Sequence, residues 1–82
     1  MARFTVVAEI WNDEEPFTAQ VEAHNPEAAG DVANRLAAIE DGNGDMSEEE
    51  MSEHYDGAPL RIWSIIEGWV TVVSGEKIHR HE

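Results

Sequence analysis

The sequence predicts an α+β domain of order ββαββ: an antiparallel sheet of about four strands, one long helix packed on one face, and a short acidic helix in the α-to-β connection. Three observations carry that prediction. Two N-terminal stretches alternate apolar and polar residues, an Ala-rich stretch after Asn25-Pro26 repeats at helical spacing, and a later stretch is dense in β-branched and aromatic residues.

Residues 4–11, FTVVAEIW, set Phe4, Val6, Ala8 and Ile10 on one side and Thr5, Val7, Glu9 and Trp11 on the other. NDEEP follows with turn chemistry, and residues 17–24, FTAQVEAH, alternate again with Phe17, Ala19, Val21 and Ala23 inward. Together they read as a hairpin with one wet face. Asn25-Pro26-Glu27 is a helix start: Asn caps free amides, Pro suits a position whose N–H is unused, and Glu complements the positive helix end. Ala29, Val32, Ala33, Leu36 and Ile39 then mark a buried stripe of a helix over 26–40, with Asp31, Asn34 and Arg35 on its other side. The small stripe lets the backbone lie close to a sheet, while Gly30 weakens the helix by up to ~1 kcal/mol relative to Ala.

LRIWSIIEGWVTVVSG carries Glu67-Gly68 at its midpoint, which suits a two-residue hairpin turn between strands at 60–66 and 69–74. That turn pairs Ile66 with Trp69, Ile65 with Val70, Ser64 with Thr71, Trp63 with Val72 and Ile62 with Val73. Ile62, Ile66, Trp69 and Val73 then share a face too apolar for open solvent. The 46–55 segment, the tail, a second copy of the chain or a foreign partner could cover it. SGEKIHRHE can add a short edge strand.

Eighty-two residues make one domain near the lower end of what folds without staples. A hydrophobic fraction of 41% with three Trp argues for a folded chain. There is no Cys, hence no disulfide framework or thiolate chemistry, which suits a reducing cytoplasm. MARFTVVAEIW has an apolar run broken by Glu9, so neither a signal peptide nor a membrane span is expected. With 18 Asp+Glu against 5 Lys+Arg, the formal net charge is −13. That sign repels phosphate backbones and favours basic partners; general solubility is the competing explanation.

The charge concentrates in IEDGNGDMSEEEMSEHYDG, residues 39–57, which holds eight carboxylates and no Lys or Arg. Asp41, Asn43, Asp45, Ser47 and Glu49 match oxygen positions of a calcium loop, but Met46 stands where the sharp turn needs Gly and Ser52 where a bidentate Glu is required. Ser47-Glu48-Glu49-Glu50 is a better match to a capping box, with Met46 and Met51 as a hydrophobic staple and Gly57 as a stop. A helix over 48–55 anchored by Met51 and Tyr55 is therefore expected. It presents Glu48, Glu49, Glu50, Glu53 and Asp56, with Asp41 and Asp45 beside them, as a negative surface.

Other chemistry has little support. Gly42-Asn43-Gly44 lacks the spacing and the Lys of a phosphate loop, and G-x-S-x-G and H-E-x-x-H do not occur. His79 with His81, or Glu50 with His54, could share a metal only with a further ligand. No carboxylate is placed by the sequence in an apolar pocket that would raise its pKa for catalysis. A non-enzyme without cofactor or metal is expected.

The order of a strand ending in Val21-Glu22-Ala23, a helix opened by Asn25-Pro26-Glu27-Ala28-Ala29, and a closing hairpin from Arg61-Ile62-Trp63 to Trp69-Val70 resembles small αβ proteins encoded by phages and mobile elements. Among these are inhibitors of host defence, including some anti-CRISPR proteins. The resemblance spans residues 17–74 and consists of element order, with no motif to carry over residue by residue; several such proteins are not acidic. It implies a non-catalytic inhibitor that occludes a surface of a host complex in the host cytoplasm. Combined with the charge, the expected partner is a basic, nucleic-acid-binding protein surface, with no direct contact to nucleic acid or membrane. The alternatives are a homodimeric accessory protein joined through Ile62, Ile66, Trp69 and Val73, and a calcium-responsive module.

Overall fold

Residues 1–10, 15–70 and 78–81 are described by a computed structural model. Their elements are β1 (Ala2–Ile10), β2 (Glu15–Ala23), α1 (Pro26–Glu40), α2 (Glu48–His54), β3 (Leu60–Glu67) and β4 (Ile78–His81). The sheet order is β3-β1-β2-β4. β1 pairs antiparallel with β2 on one side and with β3 on the other, and the short β4 runs parallel to β2. The chain is thus α+β, with a small antiparallel three-strand sheet and two helices; β4 joins in parallel, so the expected antiparallel sheet of about four strands is not what forms.

Alternation places Phe4, Val6 and Ala8 of β1 beside Val21, Ala19 and Phe17 of β2, and all six are buried. This face meets α1 through Ala29, Ala33 and Ala37, whose short side chains let helix and sheet approach. Asn25 caps the helix as its spacing suggests: its side-chain oxygen accepts the Ala28 amide at 2.8 Å. Gly30 lies where helix and strand approach closely: a Cβ there would come within 3.1 Å of Ile62 Cδ1, which would have to shift by a few tenths of an ångström. Asn34, expected on the polar side, clamps the start of β3 by accepting the Leu60 amide at 3.0 Å and donating to the Gly30 carbonyl at 3.1 Å.

The closing hairpin departs from expectation. Trp69 and Val70 are not in a strand, and residues 71–74 of the expected strand lie outside the described residues. The turn residue Gly68, at φ 95°, sends the chain across the sheet: its amide donates to the Arg3 carbonyl at 2.7 Å. Polar side chains of the central strands hold that crossing. Thr5 Oγ1 donates to the Gly68 carbonyl at 2.8 Å and accepts the Val70 amide at 2.9 Å, while Gln20 donates to the Val70 carbonyl at 3.1 Å. The expected wet face of the β1–β2 hairpin is therefore dry at its middle, where Thr5, Thr18 and Gln20 are all buried.

The faces of β3 change too. Its pairing with β1 steps from Val7–Ser64 to Ala8–Ile62, so Trp63 is the extra residue of a β-bulge. A bulge resets the alternation, and Ile62 and Ile65 both reach the helix side, where they pack on the core. Strict alternation had separated them and grouped Ile62 with Ile66. Trp63, expected on the face of Ile65, is left 69% exposed.

Candidate functional site

The acidic segment is a built structure. Ser47 caps α2, and both halves of the capping box form: the Glu50 amide donates to Ser47 Oγ at 3.1 Å, and the Ser47 amide to Glu50 Oε1 at 3.4 Å. Three acidic residues in the first turn favour the positive end of the helix. Met51 is buried, and Tyr55 ends the helix as its C-cap.

Arg35 supplies the tie that a sequence pattern does not reveal. From α1 its Nη1 donates to the Met46 carbonyl at 2.9 Å, lies 3.4 Å from the Gly44 carbonyl, and reaches the Met51 sulfur at 3.4 Å. One guanidinium thus pins the loop, the cap approach and the helix anchor to α1. We expect Arg35→Met to cost about 1–3 kcal/mol through the lost charged donor and to raise amide exchange across 44–54 before the sheet opens. Uniform protection loss throughout the domain would contradict a local tie.

A second knot joins the two ends of the segment. The Tyr55 hydroxyl donates to Asp41 Oδ2 at 2.9 Å, and Asn43 Nδ2 lies 3.1 Å from the same carboxylate oxygen and 2.8 Å from the phenol oxygen. Burial, then the neighbouring Asp41, holds the phenol above its ordinary pKa, with the Asn43 donor acting in the opposite direction. A raised phenol pKa means the folded state keeps this proton longer than the unfolded chain does. Its contribution to stability is complete below about pH 10 and disappears as pH rises through the folded value. Tyr55 is the chain's one tyrosine, so an ultraviolet phenolate titration reads it directly. The expected midpoint lies above that of the urea-unfolded chain; equal midpoints would refute the contact.

Glu48, Glu49, Glu50, Glu53 and Asp56 are exposed, as are Asp41 and Asp45. Glu49 and Glu53 stand four residues apart, on the side of α2 away from Met51 at about 100° per residue. Among the described residues the ion pairs are Arg3–Glu22 and Arg61–Glu9, both across the sheet and neither involving a residue of α2. Among the described residues, then, no α2 carboxylate is in an ion pair. Other exposed carboxylates, among them Glu15, Glu27, Glu40 and Glu67, are distributed outside α2. Among the described residues, no group of three or more His, Asp or Glu is arranged to hold a metal ion, and Asp41 spends one of its oxygens on Asn43 and Tyr55.

The expected apolar set does not share a face. Ile62 packs on the core under α1, whereas Ile66, paired with Thr5, is 38% exposed on the opposite face. Trp69 lies with its ring 4.3 Å from the Arg3 guanidinium and donates its ring N–H to the Val21 carbonyl at 3.2 Å. Val73 falls outside the described residues. No described helix is long and apolar enough to cross a membrane. Compared with protein-family models, curated proteins and solved structures, the chain matches none.

Proposed function

We propose that this protein is a non-catalytic binding module whose acidic surface, centred on α2, occupies a basic surface of a partner protein, one that ordinarily receives nucleic acid. The supporting observation is a set of exposed carboxylates on a tied-down helix: a capped helix, held by Arg35 and by the Asp41–Asn43–Tyr55 knot, carries Glu48, Glu49, Glu50 and Glu53 to solvent, none of them in an ion pair among the described residues. Rigidity matters because a pre-ordered patch loses less entropy on docking than a tether of the same charge. The magnitude is suitable as well. B-DNA carries one charge per ~1.7 Å, so thirteen net charges correspond to a duplex of roughly 20 Å, against extents of 31 × 28 × 18 Å for the domain.

In this reading the host is a cell invaded by a phage or mobile element, the target a nucleic-acid-binding complex of its defence system, and the compartment the host cytoplasm. Affinity capture from a bacterial lysate at low and high salt tests it. The expected result is a basic protein retained at low salt, released at high salt and competed off by duplex DNA. Capture that ignores both salt and DNA would end the proposal. Self-association through Ile62, Ile66, Trp69 and Val73 is less favoured, because Ile62 is already spent in the core.

A further inference from the structure

We propose that the cleft between α1 and α2 receives a basic side chain of the partner, its aliphatic stem on Val32, Met51 and Pro59 and its charged head between Asp31 and Glu48. This rests on the acidic-surface reading and locates that surface's most specific contact. The cleft measures about 530 Å³ and is a broad depression largely open to solvent. Its size is within the range of about 300–1,000 Å³ that accommodates small ligands, so one long side chain enters with room for backbone at the mouth.

The lining is divided in a way that suits such a side chain. Met51 and Pro59 are buried and Val32 is half-buried, which makes an apolar floor; Asp31 from α1 and Glu48 from α2 are exposed at the rim. Neither carboxylate takes part in an ion pair among the described residues. Arginine and lysine are the side chains that combine an apolar stem with a charged tip, and they lie along greasy surface while the tip stays near water. Arg35 also borders the cleft, but its Nη1 is directed at the Gly44 and Met46 carbonyls and the Met51 sulfur. Two carboxylates against one guanidinium leave an excess of one negative charge, which a monovalent cationic head neutralises.

The test uses two probes on the intact protein. Methyl and amide NMR titration with N-acetyl-arginine methylamide is expected to shift Val32 and Met51, and Ala58 beside Pro59 on the cleft wall, whereas the norleucine analogue at equal concentration leaves them in place. A labelled hexa-arginine peptide then compares two double variants that each remove two charges. Asp31→Asn with Glu48→Gln should weaken the peptide about tenfold, and Glu49→Gln with Glu53→Gln about threefold. Equal losses from the two pairs, or arginine-induced shifts confined to the outer side of α2, overturn the cleft while leaving the acidic-surface reading standing. Absence of salt-sensitive peptide binding by the unaltered protein overturns both.

Discussion

Lysine at both Glu49 and Glu53 is expected to abolish capture of a basic partner while the domain stays folded. The two residues are exposed, four apart on α2, and outside the capping box, which uses Ser47 and Glu50. The double reversal moves the formal net charge of −13 four units toward zero, and does so within one helical face. Affinity for the hexa-arginine peptide at low ionic strength should fall about tenfold, mostly through slower association, because such charges steer encounter more than they hold the complex. Stability should change by no more than about 0.5 kcal/mol, apart from a small penalty for positive charge near a helix N-terminus. Urea unfolding and peptide titration on the same sample separate the two effects. Binding that persists at wild-type strength would show that the patch on α2 is not the contact surface.

Thr5→Val should produce the largest stability change for one substituted atom group. Thr5 has 0% exposure, and its hydroxyl both donates to the Gly68 carbonyl and accepts from the Val70 amide. Valine keeps the shape and removes two hydrogen bonds, one to half-buried Gly68 and one to exposed Val70, each worth about 0.5–1.5 kcal/mol. A chain of this length has a total stability of only about 4–12 kcal/mol, so the loss is a large share of it. Thr5→Ser retains the hydroxyl and should recover most of the difference in urea midpoint. If valine and serine behave alike, the hydroxyl is not what holds the crossing.

These residues also show where the sequence is readable. Local rules were sufficient for β1, β2, α1 and the capped α2, because each rests on neighbours: alternation, Asn25 with Ala28, Ser47 with Glu50. Long-range polar bonds were invisible. Thr5 and Gln20 alternate as solvent-facing residues do, and nothing near them in the chain announces that Gly68–Val70 will lie across them. Trp63 defeated the reading of β3 for a related reason, since one bulged residue shifts every face assignment after it and leaves no mark in the apolar pattern. At the site, the carboxylates were legible from composition and the cap. Arg35 and Asp31 were not, because a helix period separates polar from apolar sides without saying which polar side chain meets another element.

The order β3-β1-β2-β4 puts the earliest strand in the interior of the sheet. β1 and β2 are adjacent in the chain and can zip together as soon as both exist, and α1 can settle on them next. The outer edge of β1, however, must wait for β3, with Thr5 bonded to Val70 across a separation of 65 residues. On a ribosome this leaves a hydrophobic hairpin with bare backbone on both outer edges until β3 and β4 are made, the condition in which nascent chains pair with one another. Yield from rapid overexpression should therefore be limited by that interval rather than by the stability of the finished molecule.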